Sequence, residues 1–242
     1  MNSSYLITGT TSGIGKNLHE LLLSKNNKVL TINRKKSDII ESDTNFNIEI
    51  TNFEEVFNFL KNLKNENNIP NVFVLNAGIN IFDNQFFFSI EDFKKCFDTN
   101  FYGSMNFVSA VEKLSIKNVC FVIMSSTSNI IPNPAALGYF SSKFILSEIT
   151  KFLSRDNSYK NVILGPVKTQ ISRNIGQPKG MAKKIFNYLA VSPDIAAKEI
   201  YNFINHKNRN RLFYTKKSLI FYRLVRIILI FFPKIYKGGK EI

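Results

Sequence analysis

Tyr139 and Lys143 are four residues apart and are the pair of side chains in this sequence best suited to acid–base chemistry. Apolar residues recur at helical spacing from Ala136 to Leu153, so both side chains are expected on one face of a helix. An ammonium beside a phenol favours the phenolate, and lowering a tyrosine pKa from about 10 towards 7 requires about 4 kcal/mol. Such a tyrosine can give a proton to a carbonyl oxygen or take one from an alcohol.

Ser126 stands thirteen residues before Tyr139, just beyond a predicted buried strand over residues 118–124. A hydroxyl there can hold the same reacting oxygen and stabilise the charge that develops on it. The tyrosine–lysine spacing recurs at Tyr236 and Lys240, but Arg223 stands thirteen residues before that pair and no core element follows it. We therefore assign the chemistry to Ser126, Tyr139 and Lys143.

A glycine-rich turn lies between a short apolar run at residues 5–7 and a helix whose apolar residues include Leu18, Leu21 and Leu22. Glycine lets the backbone turn sharply and approach a ligand, and a helix start attracts phosphate. The turn considered alone is also consistent with a loop that binds nothing. The residues that we expect to contact a bound dinucleotide here are Gly9, Thr11, Ser12, Gly13, Ile14 and Gly15.

Predicted strands and helices alternate along the chain. Strands are predicted at residues 5–7, 28–32, 46–50, 72–75, 118–124, 160–164 and 211–215. Helices are predicted after Thr51 as the capping residue, from Ser89 to Leu114 in one or two pieces, and after Ser192-Pro193. This alternation predicts an α/β fold with a Rossmann-type, doubly wound parallel sheet of about seven strands and helices on both faces. Ligands bind such sheets beyond the carboxyl ends of the strands.

Over about residues 3 to 215 the chain resembles the short-chain dehydrogenase/reductase family. The resemblance is carried by Thr8-Gly9…Gly13-Ile14-Gly15, Asn76-Ala77-Gly78, Asn100 with Gly103, Ser126, Tyr139…Lys143 and Gly165-Pro166-Val167-Lys168-Thr169. It implies an NAD(P)(H)-linked oxidoreduction of an alcohol/carbonyl pair. The positive ring of an oxidised nicotinamide would then add to the effect of Lys143 on the phenol.

The resemblance also implies a role for each matching residue. Tyr139 would be the acid/base, Lys143 would lower its pKa and bind the nicotinamide ribose, and Ser126 would polarise the substrate. Asn100 would hold a water in the proton relay. Glu49 replaces an aspartate that is usual near the adenine, and Leu164 replaces a proline before Gly165. The remaining implied cofactor contacts are Ile50, Asn76, Ala77, Gly78, Gly165, Val167 and Thr169.

The end of the second strand bears on the choice of cofactor. An acidic residue there would favour NAD by binding the ribose 2′-hydroxyl, but this chain has Asn33-Arg34. The guanidinium of Arg34 can pair with a 2′-phosphate. We therefore predict a preference for NADP(H) over NAD(H). Two points count against it: Ser12 fills a position that is often basic in NADP-preferring relatives, and Arg34 could merely stack on the adenine.

Composition sets further limits. The chain has 242 residues, enough for one α/β domain, and its two cysteines and two histidines indicate neither a disulfide framework nor a metal site. No secretory signal is evident before the first strand, so we expect a cytoplasmic protein. The net charge is +14, of which residues 207–242 carry +9. This uneven distribution weakens a nucleic-acid-binding interpretation of the domain.

We predict a catalytic domain over residues 1–215, with a substrate lid at about 170–191, and a basic, apolar tail over 216–242. Its apolar run, Leu219 to Phe232, is interrupted by Arg223 and Arg226 and is too short to span a membrane. It fits an interfacial helix touching a membrane through residues 216–237, or a helix that packs on protein. A phenylalanine-rich stretch within residues 79–90 could line the substrate pocket or belong to the core.

The expected partner is a small carbonyl or alcohol substrate, the expected assembly is a homodimer or homotetramer, and no nucleic acid is expected. Two interpretations from other classes remain open. One is a dinucleotide-binding regulator without turnover. The other is a membrane-surface or nucleic-acid binding module that uses the basic tail.

Overall fold

Seven parallel strands form a single sheet in this computed structural model, which describes residues 3–34, 44–82, 89–127, 136–153, 158–173, 187–206 and 211–213. Their order in the sheet is β3-β2-β1-β4-β5-β6-β7. The strands are β1 (Ser4–Thr8), β2 (Lys28–Asn33), β3 (Asn45–Asn47), β4 (Val72–Leu75), β5 (Cys120–Ser126), β6 (Tyr159–Leu164) and β7 (Arg211–Phe213). The predicted doubly wound parallel sheet is confirmed.

The strand order reverses between β1 and β4, which pair with each other although β2 and β3 lie between them in sequence. The chain leaves β1 towards one side of the sheet and leaves β4 towards the other side. A crevice therefore opens beyond the carboxyl ends of these two strands, where ligands bind in folds of this kind. The glycine turn follows β1 and Asn76 follows β4, so both predicted motifs lie at this crevice.

The central strands are apolar because helices cover both faces of the sheet. All four residues of β4, Val-Phe-Val-Leu, are buried, as are the five central residues of β5. A continuous apolar run is typical of parallel strands covered on both sides.

Seven helices cover the sheet in the described part of the chain. They are α1 (Gly13–Ser24), α2 (Phe53–Asn65), α3 (Ile90–Phe97), α4 (Gly103–Lys113), α5 (Leu137–Leu153), α6 (Gln170–Arg173) and α7 (Pro193–Ile204). A π-helical turn, Asp98–Tyr102, joins α3 to α4. The helical pattern predicted from Ser89 to Leu114 is therefore continuous, with one wider turn that holds an extra residue. The helix start predicted at Ser192-Pro193 is confirmed.

Two local predictions on the third strand and its helix are wrong. The strand predicted over residues 46–50 is only Asn45–Asn47, because its partner β2 ends at Asn33, opposite Asn47, and offers no further pairing. The helix cap is Asn52 and not Thr51: the Asn52 side chain accepts hydrogen bonds from the N–H groups of Glu54 and Glu55, at 3.1 and 3.3 Å.

The hydrophobic core has one layer on each face of the sheet. On one face, Leu18 and Leu22 of α1 pack with Ile200 of α7 against β1, β4 and β5. On the other, helices α2 and α4 contribute Leu60 and Phe107. These layers fix the strand ends, and with them the two sides of the crevice.

Several predicted segments lie outside the described residues. They are the phenylalanines at 86–88, most of the lid (residues 174–186), the last two residues of the seventh predicted strand, and the tail 216–242. Among the residues that are described, no helix is both long enough and apolar enough to cross a membrane.

Adjacent leucines of α1 provide a test of this packing. Leu22 is fully buried in the core and Leu23 is 49% exposed. We expect Leu22→Ala to lower the free energy of unfolding by about 2–5 kcal/mol, because it leaves a cavity. Leu23→Ala is the same change at the next position, and it should lower the free energy of unfolding by less than about 1 kcal/mol. Urea denaturation of both variants measures the difference, and equal losses would contradict the helix orientation.

Candidate active site

A cleft of about 1330 Å³ opens beyond the carboxyl ends of the strands and brings together most of the residues singled out by sequence. Those that line it are Gly9, Thr11, Ser12, Gly13, Ile14, Asn33, Arg34, Ile50, Asn76, Ala77, Gly78, Ser126, Tyr139, Lys143, Gly165, Val167 and Thr169. Gly15, Glu49 and Asn100 are not among the lining residues. The cleft therefore joins the glycine turn at one end to the tyrosine–lysine pair at the other.

The glycine turn is shaped by close backbone approach. Gly9 has a φ of +74°, and a Cβ there would lie 2.9 Å from the Cα of Ala77. Gly13 has a φ of +59° and opens α1, whose capping residue Ser12 makes no side-chain capping bond. Gly15 supports the turn from behind, because a Cβ there would collide with the carbonyl oxygen of Gly9. The turn therefore presents unpaired N–H groups of a helix start to the cleft, a suitable environment for phosphate.

Asn33 is buried and holds the glycine turn against β2. Its Oδ1 accepts the Thr10 N–H at 2.8 Å, and its Nδ2 donates to Thr10 Oγ1 at 2.9 Å and to Asn45 Oδ1 at 3.0 Å. These bonds use the amide, so Asn33 positions the turn as well as lining the cleft. The neighbouring Arg34 is exposed.

Glu49 does not face the cleft as the family resemblance led us to expect. Its Oε1 accepts from the N–H of Thr51 at 3.1 Å and from the Thr51 hydroxyl at 2.9 Å. Its own N–H donates to the Glu55 carboxylate at 2.9 Å. The carboxylate thus stabilises the entry to α2, and the apolar side chains of Ile48 and Ile50 line the cleft on either side of it.

Tyr139 and Ser126 are joined by a hydrogen bond between their hydroxyl groups. Ser126 ends β5, and Tyr139 lies in the first turn of α5. Burial raises the pKa of the Tyr139 phenol above its ordinary value, and the bond with Ser126 acts in the opposite sense. The phenol is therefore protonated at neutral pH in the chain alone, and it can act as a proton donor.

Lys143 carries a buried amine one turn further along α5. Its Nζ donates to the carbonyl oxygen of Met124 in β5 at 2.8 Å. Burial lowers the pKa of this amine from 10.5 to about 8. A Cβ built on Gly78 would lie 3.4 Å from Nζ, so the amine is enclosed between β5 and the segment after β4.

Asn100 lies in the π-helical turn behind the cleft and holds two elements together. Its Oδ1 accepts the N–H of Ile79 at 2.7 Å, and its Nδ2 donates to the carbonyl of Ile79 and to Ser142 Oγ, both at 2.9 Å. Ser142 Oγ in turn donates to the carbonyl of Tyr139 at 2.8 Å. The side chain thus positions the residues at the cleft, and a relay water at Asn100 stays a prediction.

A second buried polar network was not found from the sequence. Ser125 Oγ donates to Asn161 Oδ1 at 2.6 Å, and Asn161 Nδ2 donates to Ser147 Oγ at 3.2 Å. The bonds tie β5, β6 and α5 together directly beneath Ser126. The available signal was a polar residue within each of two apolar strands. Asn80, Thr127, Gln170 and Ile171 line the cleft and lie in segments that the sequence predicts for the substrate pocket, residues 79–90, 127–137 and 170–191. Lining residues that the sequence analysis missed include Ile32, Ile48, Thr99 and Met124.

No metal chemistry is indicated in the described ranges, where no three His, Cys, Asp or Glu residues are grouped so that they could hold a metal ion. The polar groups at the cleft are hydroxyls, amides, an amine and a guanidinium.

Comparison with known proteins places this geometry in context. The model of the short chain dehydrogenase family matches residues 4–180. A 3-oxoacyl-(acyl-carrier-protein) reductase of Rickettsia prowazekii is 30% identical over 174 residues, 67% of this chain and 69% of that protein. A 3alpha-hydroxysteroid dehydrogenase of Mediterraneibacter gnavus is 28% identical over 121 residues, 49% of this chain and only about half (48%) of that relative.

The fold is also found in solved structures. A short chain dehydrogenase from Burkholderia cenocepacia in complex with NADP superposes with a TM-score of 0.74. It is 20% identical, and the match covers 97% of this chain and 95% of the other. At this level of identity the likeness concerns the fold alone.

The buried amine of Lys143 gives a pH-dependent stability. Between pH 8 and 10.5 the unfolded chain keeps a proton that the folded chain has released, so raising the pH stabilises the folded protein. Below pH 8 the amine is charged in both the folded and the unfolded state, so the folded protein bears the full free-energy cost of burying the charge. We expect Lys143→Met to raise the free energy of unfolding by about 2–3 kcal/mol at pH 7, with a gain that shrinks towards pH 9.5.

Urea denaturation at several pH values measures this gain, with the exposed Lys94→Met as the control. A gain that stays constant from pH 6.5 to 9.5 would show that the amine of Lys143 is not destabilised by burial.

Proposed function

Because the chain belongs to the short-chain dehydrogenase/reductase family, we propose that it catalyses hydride transfer between NADP(H) and a carbonyl/alcohol substrate. The observation that carries the proposal is the hydrogen-bonded pair Ser126 and Tyr139, one helical turn from the buried amine of Lys143 and in the same cleft as the glycine turn. The substrate belongs to the small carbonyl compounds or alcohols.

The residues at the cleft fit a dinucleotide. Three of the lining residues, Gly9, Gly13 and Gly78, are glycines, so the backbone itself forms the wall of the cleft at these points. The start of α1 would receive the pyrophosphate, with Thr169 opposite, 3.3 Å from a Cβ placed on Gly13. Ile32, Ile48 and Ile50 would enclose the adenine, and Gly165 and Val167 would bound the nicotinamide. When bound, the reduced cofactor supplies the hydride.

In the direction of reduction, Tyr139 gives its hydroxyl proton to the carbonyl oxygen as the carbonyl carbon receives the hydride. Ser126 donates a hydrogen bond to the same oxygen and orients the phenol. The phenolate that remains is stabilised by the ammonium form of Lys143, which is the majority form at neutral pH because the pKa is about 8. Oxidation runs these proton movements in reverse.

The preference for NADP(H) rests on the end of β2. Asn33 provides no carboxylate for a ribose hydroxyl, and its amide already bonds to Thr10 and Asn45. Arg34 is exposed at the rim of the cleft and can meet a 2′-phosphate with its planar fork. Arg34 is therefore the residue proposed to recognise the ribose 2′-phosphate.

Replacing the proton donor tests the mechanism. We expect Tyr139→Phe to lower kcat with a carbonyl substrate by about 10²–10⁴-fold, since general acid catalysis contributes that much. NADPH should still bind, because the phenyl ring keeps the shape of the wall. NADPH absorbance measures turnover and NADPH fluorescence titration measures binding. Turnover that persists in this variant would refute the assigned role, and binding without turnover in the unaltered protein would favour a cofactor-sensing regulator.

Replacing the arginine tests the cofactor preference. We expect Arg34→Gln to lower kcat/KM for NADPH relative to NADH by about 10-fold or more, through loss of a charge-assisted bond of about 1.5–3 kcal/mol. The same ratio for Arg34→Lys should lie between that of the unaltered protein and that of Arg34→Gln, because lysine keeps the charge and lacks the planar guanidinium. Lys94→Gln removes a positive charge from exposed α3 and serves as the control. An unaltered protein that uses NADH as well as NADPH would contradict the preference.

A further inference from the structure

Asn80 is a buried amide without a hydrogen-bond partner among the residues that the structure describes. Its side chain is 7% exposed and lines the cleft, and neither Oδ1 nor Nδ2 has a partner. An amide can accept two hydrogen bonds and donate two, and burying it unpaired is unfavourable. Buried polar groups in folded proteins are nearly always paired, so this exception requires an explanation.

The backbone on both sides of Asn80 is fixed, so a small shift of the loop cannot pair the amide. The N–H and carbonyl of Ile79 are both bonded to the Asn100 side chain, at 2.7 and 2.9 Å. The N–H of Ile81 is bonded to the thiol of Cys96. The position of Asn80 is therefore set by its neighbours, and its amide remains unpaired at that position.

The amide lies on the catalytic side of the cleft. Cys96, whose thiol holds Ile81, lies beside the start of α5, since a Cβ placed on Gly138, the neighbour of Tyr139, would be 3.0 Å from the Cβ of Cys96. Gly78, two residues before Asn80, faces the Lys143 amine. The nearby wall is apolar at Ile79 and Phe82. A single unpaired amide in such a wall can distinguish a ligand that carries a polar group from one that does not.

We propose that Asn80 is a specificity-determining residue that binds a second oxygen function of the substrate, a hydroxyl or carbonyl group other than the one that reacts. This inference rests on the proposed oxidoreductase function. The amide offers both a donor and an acceptor, and a hydroxyl group complements both. A substrate without that oxygen leaves the buried amide unpaired, which a site of this kind penalises.

Matched pairs of ketones test the assignment. Reduction of cyclohexanone is compared with reduction of 2-, 3- and 4-hydroxycyclohexanone, using NADPH absorbance. We expect kcat/KM for at least one hydroxyketone to exceed that for cyclohexanone by about 10-fold or more. In Asn80→Leu, which keeps the number and branching of the side-chain heavy atoms and removes the amide, this ratio should fall by about 10-fold. Asn58→Leu, the same substitution on the exposed face of α2, should leave the ratio unchanged.

Thermal unfolding of the ligand-free protein gives a readout independent of activity. Asn80→Leu should raise Tm by about 2–6 °C, because an unpaired buried amide is replaced by an apolar side chain. The control Asn58→Leu should leave Tm within about 1 °C. A lowered Tm for Asn80→Leu would mean that the chain itself pairs the amide, which would overturn the proposal.

The kinetic outcomes separate this inference from the proposed function. Ketone turnover with the same hydroxyketone preference in the unaltered protein and in Asn80→Leu overturns the inference alone. Equal kcat/KM values for all four ketones in the unaltered protein would also overturn the inference. An equal loss of kcat/KM on all four ketones in Asn80→Leu would overturn it as well. Weakened NADPH binding with an unchanged ratio assigns the amide to the cofactor and overturns the substrate role. Absence of all turnover despite NADPH binding overturns the proposed function itself.

Discussion

The enclosure of the Lys143 amine between β5 and the segment after β4 is the constraint on which the rest of the site depends. A charged amine removed from water is destabilising unless the protein supplies partners, and here one partner is the carbonyl of Met124 at 2.8 Å. Gly78 lines the opposite side, where a Cβ would lie 3.1 Å from Asn100 Oδ1 and 3.4 Å from Nζ, so a side chain there would crowd the amine and the residue that positions the segment. The carboxyl ends of β4 and β5 and the start of α5 are therefore fixed relative to one another.

Two hydrogen-bond networks keep that arrangement from relaxing. Asn100 and Ser142 tie the segment after β4 to the first turn of α5 through the carbonyl of Tyr139. Ser125, Asn161 and Ser147 tie the end of β5 to the same helix two turns further along. Helix α5 is thus anchored on both sides of Lys143. The phenol of Tyr139 then meets the hydroxyl of Ser126 because the backbones that carry them cannot separate.

The general fold was predictable from sequence because each element leaves a local signal. Apolar runs marked the central strands, and the glycine turn was recognisable from the strand before it and the helix after it. The predictions that failed concern features that depend on contacts and not on a local signal. The extent of β3 depends on where its partner β2 ends. Thr51 and Asn52 are both suitable capping residues by type, and only the structure shows that Asn52 makes the capping bonds. Glu49 was placed by its position in a motif, whereas the nearby N–H of Thr51 decided its orientation.

The site residues divide in the same way. Ser126, Tyr139 and Lys143 were singled out because their types and spacing carry chemistry, and the structure brings them into one cleft. The partners that hold them left no such signal in the sequence. Asn161 and Ser142 are ordinary polar residues in sequence, and only tertiary contacts show that one supports β5 and the other α5. Asn80 is the extreme case, since its distinguishing property is the absence of a described partner for a buried amide.

The two ends of the cleft are built by different means, and this bears on how such a site can change its substrate. The glycine-turn end is defined by backbone: Gly9 and Gly13 require positive φ values, and a side chain at Gly15 has no room. Few substitutions are possible there, so the proposed dinucleotide site can change little without disturbing the backbone. On the catalytic side, Asn80 and Phe82 are side chains that replacement can alter without moving the backbone held by Asn100. The proposed role of Asn80 in substrate preference is thus compatible with substitutions that keep the geometry of Tyr139 and Lys143.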